Sequence, residues 1–262
     1  MTRHVLWIVG ACLALACGDS FSSSETSTGG SNPGGTGGTT SGTGGTTSGT
    51  GGNTTGGGGT GGEGGEGGTT VGPCMASNSI DNLVDDFEDG QLSADWTAFG
   101  PEIAVNEVNG SLVMNPADGS AGVRSKDRYN LQSCRIYIEI SHLPAHHLHP
   151  VEAWFELKGD GDDYLSIYVA EGSLRGQVMV DGNIIQDANV TFEEGDNRFW
   201  RFREQNGQTA LQYAGDNFQF TNLVVVPTPG FVADTMVELG THATNTVDNA
   251  GIFGVDGVNV GQ

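Results

Sequence analysis

From Val84 onward the chain alternates apolar and polar positions with a period of two, in short runs broken by Gly, Asn and Asp. "RIYIEI" sets Ile136, Ile138 and Ile140 on one side and Arg135, Tyr137 and Glu139 on the other. "AWFELK" turns Ala153, Phe155 and Leu157 inward and Trp154, Glu156 and Lys158 outward. "YLSIYVA" buries Leu165, Ile167 and Val169 and exposes Tyr164, Ser166 and Tyr168. "LRGQVMV", "FWRFRE", "TALQYA", "FTNLVVV", "TMVELG" and "GIFGVDGVNV" continue the series, and Trp200 and Phe202 alternate toward the core. Turn residues recur at about the 8–12-residue spacing of sandwiches and barrels, and no run reads as an amphipathic helix of three turns. The pattern predicts an all-β, antiparallel two-sheet domain. The acidic stretch "KGDGDD" (158–163) is predicted to be a hairpin turn with Gly161 at positive φ. In an EF-hand register starting at Asp160, Tyr164 and Leu165 would fall where an oxygen donor and a glycine are needed.

Composition divides the chain unevenly. Residues 20 to 72 are almost entirely Gly, Thr and Ser, with "GGTTSGT" twice in succession at 37–43 and 44–50. So few apolar side chains cannot offset backbone entropy, so a disordered tether is expected over 17–73 and one folded domain over 74–262. Upstream, Arg3 precedes an apolar run from Val5 to Ala16 that is too short to span a bilayer stably and reads as an export signal over 1–16. The "ALAC" that ends it resembles the lipobox of bacterial lipoproteins. By that resemblance Cys17 is the lipidated residue, and Gly18 fits outer-membrane or cell-surface sorting.

The sequence carries 32 acidic and 10 basic residues, and all but four acids and one base lie beyond residue 73. A surface of this sign repels nucleic acid and anionic lipid, and it excludes neither saccharides nor divalent cations. With the signal-region cysteines set aside, Cys74 and Cys134 remain. In an oxidising compartment an isolated pair is most simply a disulfide. No spacing suited to structural zinc through thiolates is present.

"VDDFEDGQLSADW", "VNGSLVMNP", "NRFWRFREQNGQTALQYAGDNF" and the final "AGIFGVDGVNV" together resemble the concanavalin A-like (LamG/glucanase-type) jelly-roll domains of bacterial surface proteins. The resemblance spans Val84 to Val260 and implies a two-sheet sandwich whose first and last strands are neighbours and whose concave sheet often holds saccharides. Galactose-binding-like jelly rolls share a similar "FE-x-G" start and "D-x-V" end and stay open as an alternative topology. Many concanavalin A-like modules hold a structural calcium, by which resemblance Asp86, Glu88 and Asp256 are the candidate ligands, with Asp85 and Asp89 nearby.

Glucanases of this architecture carry E-x-D-x-x-E on one strand, since retaining hydrolysis needs two carboxyls about 5 Å apart. That run is missing, as are GxSxG, HExxH and the P-loop, and Glu139 stands alone on its strand. Carboxylates converging from different strands would escape such a search. "SHLPAHHLHP" offers His142, His146, His147 and His149 in a loop, a tract that either binds a transition metal or is only polar. Exposed aromatics beside polar groups mark a sugar surface, because pyranose C–H faces stack on rings while hydroxyls bond to polar side chains. Tyr137, Trp154, Glu156, Tyr164, Tyr168, Arg175 and Gln177 are the candidates. The sequence-based expectation is a monomeric, surface-exposed, lipid-anchored protein that binds polysaccharide or a cell-envelope partner without chemistry. No cofactor is required, and the one ion the sequence allows for is a structural calcium. A structural or adhesion module recognising protein is the first alternative, and an unrecognised glycoside-active enzyme the second.

Overall fold

The computed structural model describes residues 74, 76–101, 104–116, 119–148, 150–244 and 250–260. The signal segment, Cys17, the Gly/Thr/Ser tether and His149 lie outside them. The strands are β1 (Trp96–Phe99), β2 (Val105–Glu107), β3 (Leu112–Met114), β4 (Gly119–Ser125), β5 (Arg135–His142), β6 (Val151–Lys158) and β7 (Tyr164–Ala170). After these come β8 (Ser173–Val180), β9 (Asn183–Thr191), β10 (Phe199–Gln205), β11 (Gln208–Ala214), β12 (Thr221–Pro227), β13 (Met236–Ala243) and β14 (Phe253–Val258). They form two seven-stranded sheets, ordered β1-β4-β13-β6-β7-β8-β9 and β12-β11-β10-β5-β14-β3-β2. Every pairing between these strands is antiparallel. Among the described residues no helix is long and apolar enough to cross a membrane.

The predicted inward faces form the core. Ile136, Ile138, Phe155, Leu157, Leu165, Ile167, Val169, Trp200 and Phe202 are fully buried. The sheets meet through side chains such as Phe155 and Phe202, whose ring centroids are 4.6 Å apart. Burying one such side chain contributes roughly 1.5–3 kcal/mol. The segment before β1 reaches the last strand through an isolated bridge from Asp85 to Val258 of β14, but β1 and β14 lie in different sheets and are not the neighbours the resemblance implied. Cys74 and Cys134 form the expected disulfide, with Cα atoms 5.1 Å apart.

Two tight turns set the register of the first sheet. Glu171-Gly172 joins β7 to β8 and Asp181-Gly182 joins β8 to β9, all four residues having φ between 51° and 74°. Two consecutive positive-φ residues make a type I′ turn, whose twist matches that of the flanking strands. The "KGDGDD" segment is the predicted hairpin between β6 and β7. Gly161 has φ 64°, Asp163 N–H donates to Asp160 O, and the Asp163 carboxylate accepts the Asp181 N–H at 2.6 Å.

Candidate active site

Six of the seven predicted sugar-surface residues share one face. Trp154 and Glu156 on β6, Tyr164 and Tyr168 on β7, and Arg175 and Gln177 on β8 point away from the core on neighbouring strands. The seventh does not join them. Tyr137 lies on β5 in the other sheet, 3% exposed beside Phe199 and Ala214, and its hydroxyl donates to the Val260 carbonyl. Alternation told outside from inside along each strand but could not assign a strand to a sheet, and here the chain's C-terminal end covers the outward side.

Register orders the first sheet's outer face in rows that run across the strands. One row reads Arg124 (β4), Glu238 (β13), Glu156 (β6), Ser166 (β7) and Gln177 (β8). The adjacent row reads Phe99, Gly122, Gly240, Trp154, Tyr168 and Arg175. Gly122 and Gly240 have no side chain because rings occupy that space. A Cβ on Gly240 would collide with the six-membered ring of Trp154, and one on Gly122 with Phe99. The two rings therefore lie along the sheet as an apolar shelf beside the carboxylate row. Trp154 Nε1 donates to Glu238 Oε1 at 3.3 Å.

Glu238 was not singled out in the sequence, yet it sits directly opposite Glu156 on the neighbouring strand. Directly opposed residues of an antiparallel pair have Cβ atoms about 4.5–5.5 Å apart. Glu238 is buried, its side chain 5% exposed, and its Oε2 accepts Arg124 Nε at 2.8 Å and Nη2 at 2.5 Å. Lys158 Nζ lies 3.5 Å from Glu238 Oε1 and 3.5 Å from Glu156 Oε2, so those oxygens are separated by no more than the two contacts laid end to end. Burial pushes the Glu156 carboxyl above its usual range, and the neighbouring Glu238 charge adds to this. Lys158 and a hydrogen bond from Ser166 oppose both. One carboxyl thus favours its proton, while its partner is met by two cations and an indole N–H. Alternatively, Glu152 and Glu156 flank Trp154 on β6, but four residues along a strand separate their Cα atoms by about 13 Å. The cross-strand pair has the closer geometry.

Beside this row the Tyr164 hydroxyl donates to Gln177 Oε1, and burial, Glu156 and Tyr168 raise its pKa to about 12. Arg175 pairs with Glu171 at 2.6 Å.

The remaining candidates stand elsewhere. Asp86 accepts the Glu88 N–H at 3.2 Å, and Asp256 accepts the Ser111 hydroxyl at 2.5 Å. Among the described residues the ligand atoms of Asp86, Glu88 and Asp256 do not gather within 4.8 Å of one another. Near them Glu107 is raised to about 7 by burial, followed by the charges of Asp85 and Asp89. Glu139 is paired with Arg198, which also reaches Asp216 at 3.1 Å. His146 ends up near Phe192, ring centroids 4.9 Å apart, on the wall of a cleft of about 650 Å³ that also includes His142, Arg198 and Asp256. That cleft lies away from the Glu156–Glu238 pair. The pair sets two carboxyls at directly opposed positions of neighbouring strands, outside that cleft.

No family model and no curated protein matches the chain. Solved structures do match. An apo Crh5 transglycosylase aligns at TM-score 0.52 and 12% identity, over 67% of this chain and 81% of that one. SCLam, a non-specific endo-β-1,3(4)-glucanase from family GH16, aligns at TM-score 0.52 and 9% identity, over 67% and 88%. A laminarinase from Flavobacterium sp. UMI-01 aligns at TM-score 0.51 and 10% identity, over 67% and 97%. These matches correct the expectation of a binding module without chemistry, since the structures that share the fold are hydrolases and transglycosylases. The absence of a one-strand motif had suggested otherwise, but the opposed carboxyls of Glu156 and Glu238 belong to two strands. Of the two topologies left open by the sequence, the chain adopts the concanavalin A-like jelly roll.

Proposed function

We propose that the domain is a glycoside-active enzyme that cleaves or transfers chains of a polysaccharide laid across the outer face of the β1-β4-β13-β6-β7-β8-β9 sheet. The observation that carries this reading is the opposed Glu156–Glu238 pair. Glu156, raised by burial, is the acid that protonates the glycosidic oxygen as the bond to the anomeric carbon breaks. Glu238, whose charge is met by Arg124 and Lys158, attacks that carbon from the opposite face to form a glycosyl ester. Glu156, now ionised, then takes a proton from water or from a sugar hydroxyl, which displaces Glu238 and restores both groups. Retaining hydrolysis uses two carboxyls about 5–5.5 Å apart, and directly opposed positions on neighbouring strands are compatible with that spacing. Trp154 and Phe99 supply the ring faces for neighbouring sugar units. The fold's relation to a transglycosylase and two glucanases supports the substrate class. The "ALAC" motif and the Gly-rich segment after it support an export route that ends at a lipid anchor on the cell surface.

The test is incubation of the exported chain with β-1,3- and mixed β-1,3/1,4-glucans and other neutral polysaccharides, followed by mass spectrometry of the products. Cleaved or elongated chains are expected from the wild type and not from Glu238→Gln. If no polysaccharide is altered, or the Glu238→Gln protein works as well, the reading is overturned.

A further inference from the structure

Outside the opposed pair, the group that touches both of its members is Lys158. It closes β6 beside the hairpin turn, and its backbone carbonyl accepts the Thr235 hydroxyl at 2.9 Å, which pins the residue against the segment leading into β13. Arg124 reaches Glu238, and Arg175 is held by Glu171. Among the described residues Lys158 is thus the cation paired with both carboxyls. Resting on the catalytic reading above, we infer that Lys158 is a positioning residue. Its ammonium links acid to nucleophile and governs the protonation of Glu156.

The argument is one of geometry and sign. Two carboxyls on adjacent strands, away from bulk water, disfavour a second negative charge, and a cation between them relieves that repulsion. Glu156 faces Glu238 and His242 from β13, Arg124 from β4, Tyr164 and Tyr168 from β7, and Arg175 from β8, with Glu152 and Lys158 on its own strand. Of the cations in this set, Lys158 is the one in contact with it. With the ammonium in place, Glu156 can give up its proton in the first step and hold a negative charge until the second. Without it, the proton is retained to higher pH, and return of the catalytic base is delayed. Glu238 keeps Arg124 and Trp154 in either case, so the nucleophile's anchorage does not depend on Lys158.

The experiment compares wild type, Lys158→Met, Lys158→Gln and Lys158→Arg by two readouts. The first is the pH profile of kcat/KM on the polysaccharide that the wild type converts. Its basic limb reports the acid, and it should move up by about one pH unit in Lys158→Met and Lys158→Gln and stay near the wild-type position in Lys158→Arg. The second is the 13C titration of the Glu156 side-chain carboxyl, assigned with Glu156→Gln, which requires no turnover. It should move in the same direction in the same two variants. If the carboxyl titrates where it does in the wild type after the ammonium is removed, or if kcat falls with no movement of the limb, Lys158 is only structural and the inference is overturned. If the wild type converts nothing but the 13C titration moves, the catalytic reading fails while the electrostatic role of Lys158 stands.

Discussion

Replacing Glu156 by glutamine should raise stability and remove activity in one step. The folded protein holds this carboxyl above its usual range because the side chain, 17% exposed, is withdrawn from water beside Glu238. A folded-state pKa above the unfolded one means that folding favours the protonated form. That stabilisation is complete below the unfolded value and disappears as pH rises through the folded one. Glutamine imitates the protonated form at every pH. At pH 4 the substitution should therefore leave the melting temperature nearly unchanged, whereas at pH 8 it removes the cost of a buried charge. Against this stands the lost contact with Lys158, a side chain one-third exposed, worth at most about 1 kcal/mol. Because the raised pKa is already net of that contact, the melting temperature should exceed that of the wild type at pH 8 and not at pH 4. The amide cannot supply a proton, so kcat should fall by about 10²–10⁴-fold. Thermal melts at the two pH values and product release on the converted polysaccharide provide the measurements. A melting temperature lowered equally at both pH values, or a loss of activity below tenfold, would refute the reasoning.

Glu107, raised to about 7 by burial and by Asp85 and Asp89, gives a parallel case away from the reactive centre. Glu107→Gln should raise the melting temperature above pH 7 by several degrees, leave it unchanged at pH 4 and leave turnover intact, as melts across pH 4–9 will show. Trp154→Ala removes the ring over Gly240 and the N–H to Glu238, and KM should rise about tenfold, which steady-state kinetics on a defined oligosaccharide measures. Cys74→Ser opens the bridge to Cys134 across a sequence separation of 60, and should cost roughly 2–4 kcal/mol in denaturant melts.

The fold was legible because its signal is local. Each strand of a two-faced sheet writes its own period of two, and "RIYIEI", "AWFELK" and "YLSIYVA" needed nothing beyond themselves to show which residues would be buried. The surface around Trp154 was legible for a related reason. Strands β6, β7 and β8 follow one another through short turns, so consecutive hairpins bring outward side chains near in sequence into neighbouring positions on one face. Tyr137 lay outside that run and failed accordingly. Its strand pairs with β10 and β14, both distant in sequence.

Glu238 is the instructive miss. In "TMVELG" it has the appearance of an ordinary outward glutamate on an amphipathic strand. It becomes half of an opposed carboxyl pair only because β13 inserts between β4 and β6, opposite a residue 82 positions earlier. A one-strand carboxylate motif can be read from sequence because the strand itself sets the spacing. A cross-strand pair has no such record, since its spacing is set by register between segments that the chain joins late. Some local signal was present in the glycines on either side of the shelf. Gly122 and Gly240 lie inside strands, where a glycine marks close approach by another group. At Gly240 that group is the Trp154 ring, and at Gly122 it is the Leu239 carbonyl together with the Phe99 ring. Read that way, "ELGTH" places a glycine two residues after an acid on the same outward face, where a ring and a carboxylate stand side by side. That adjacency, more than any consensus run, is the local trace of an opposed carboxyl pair beside an aromatic shelf.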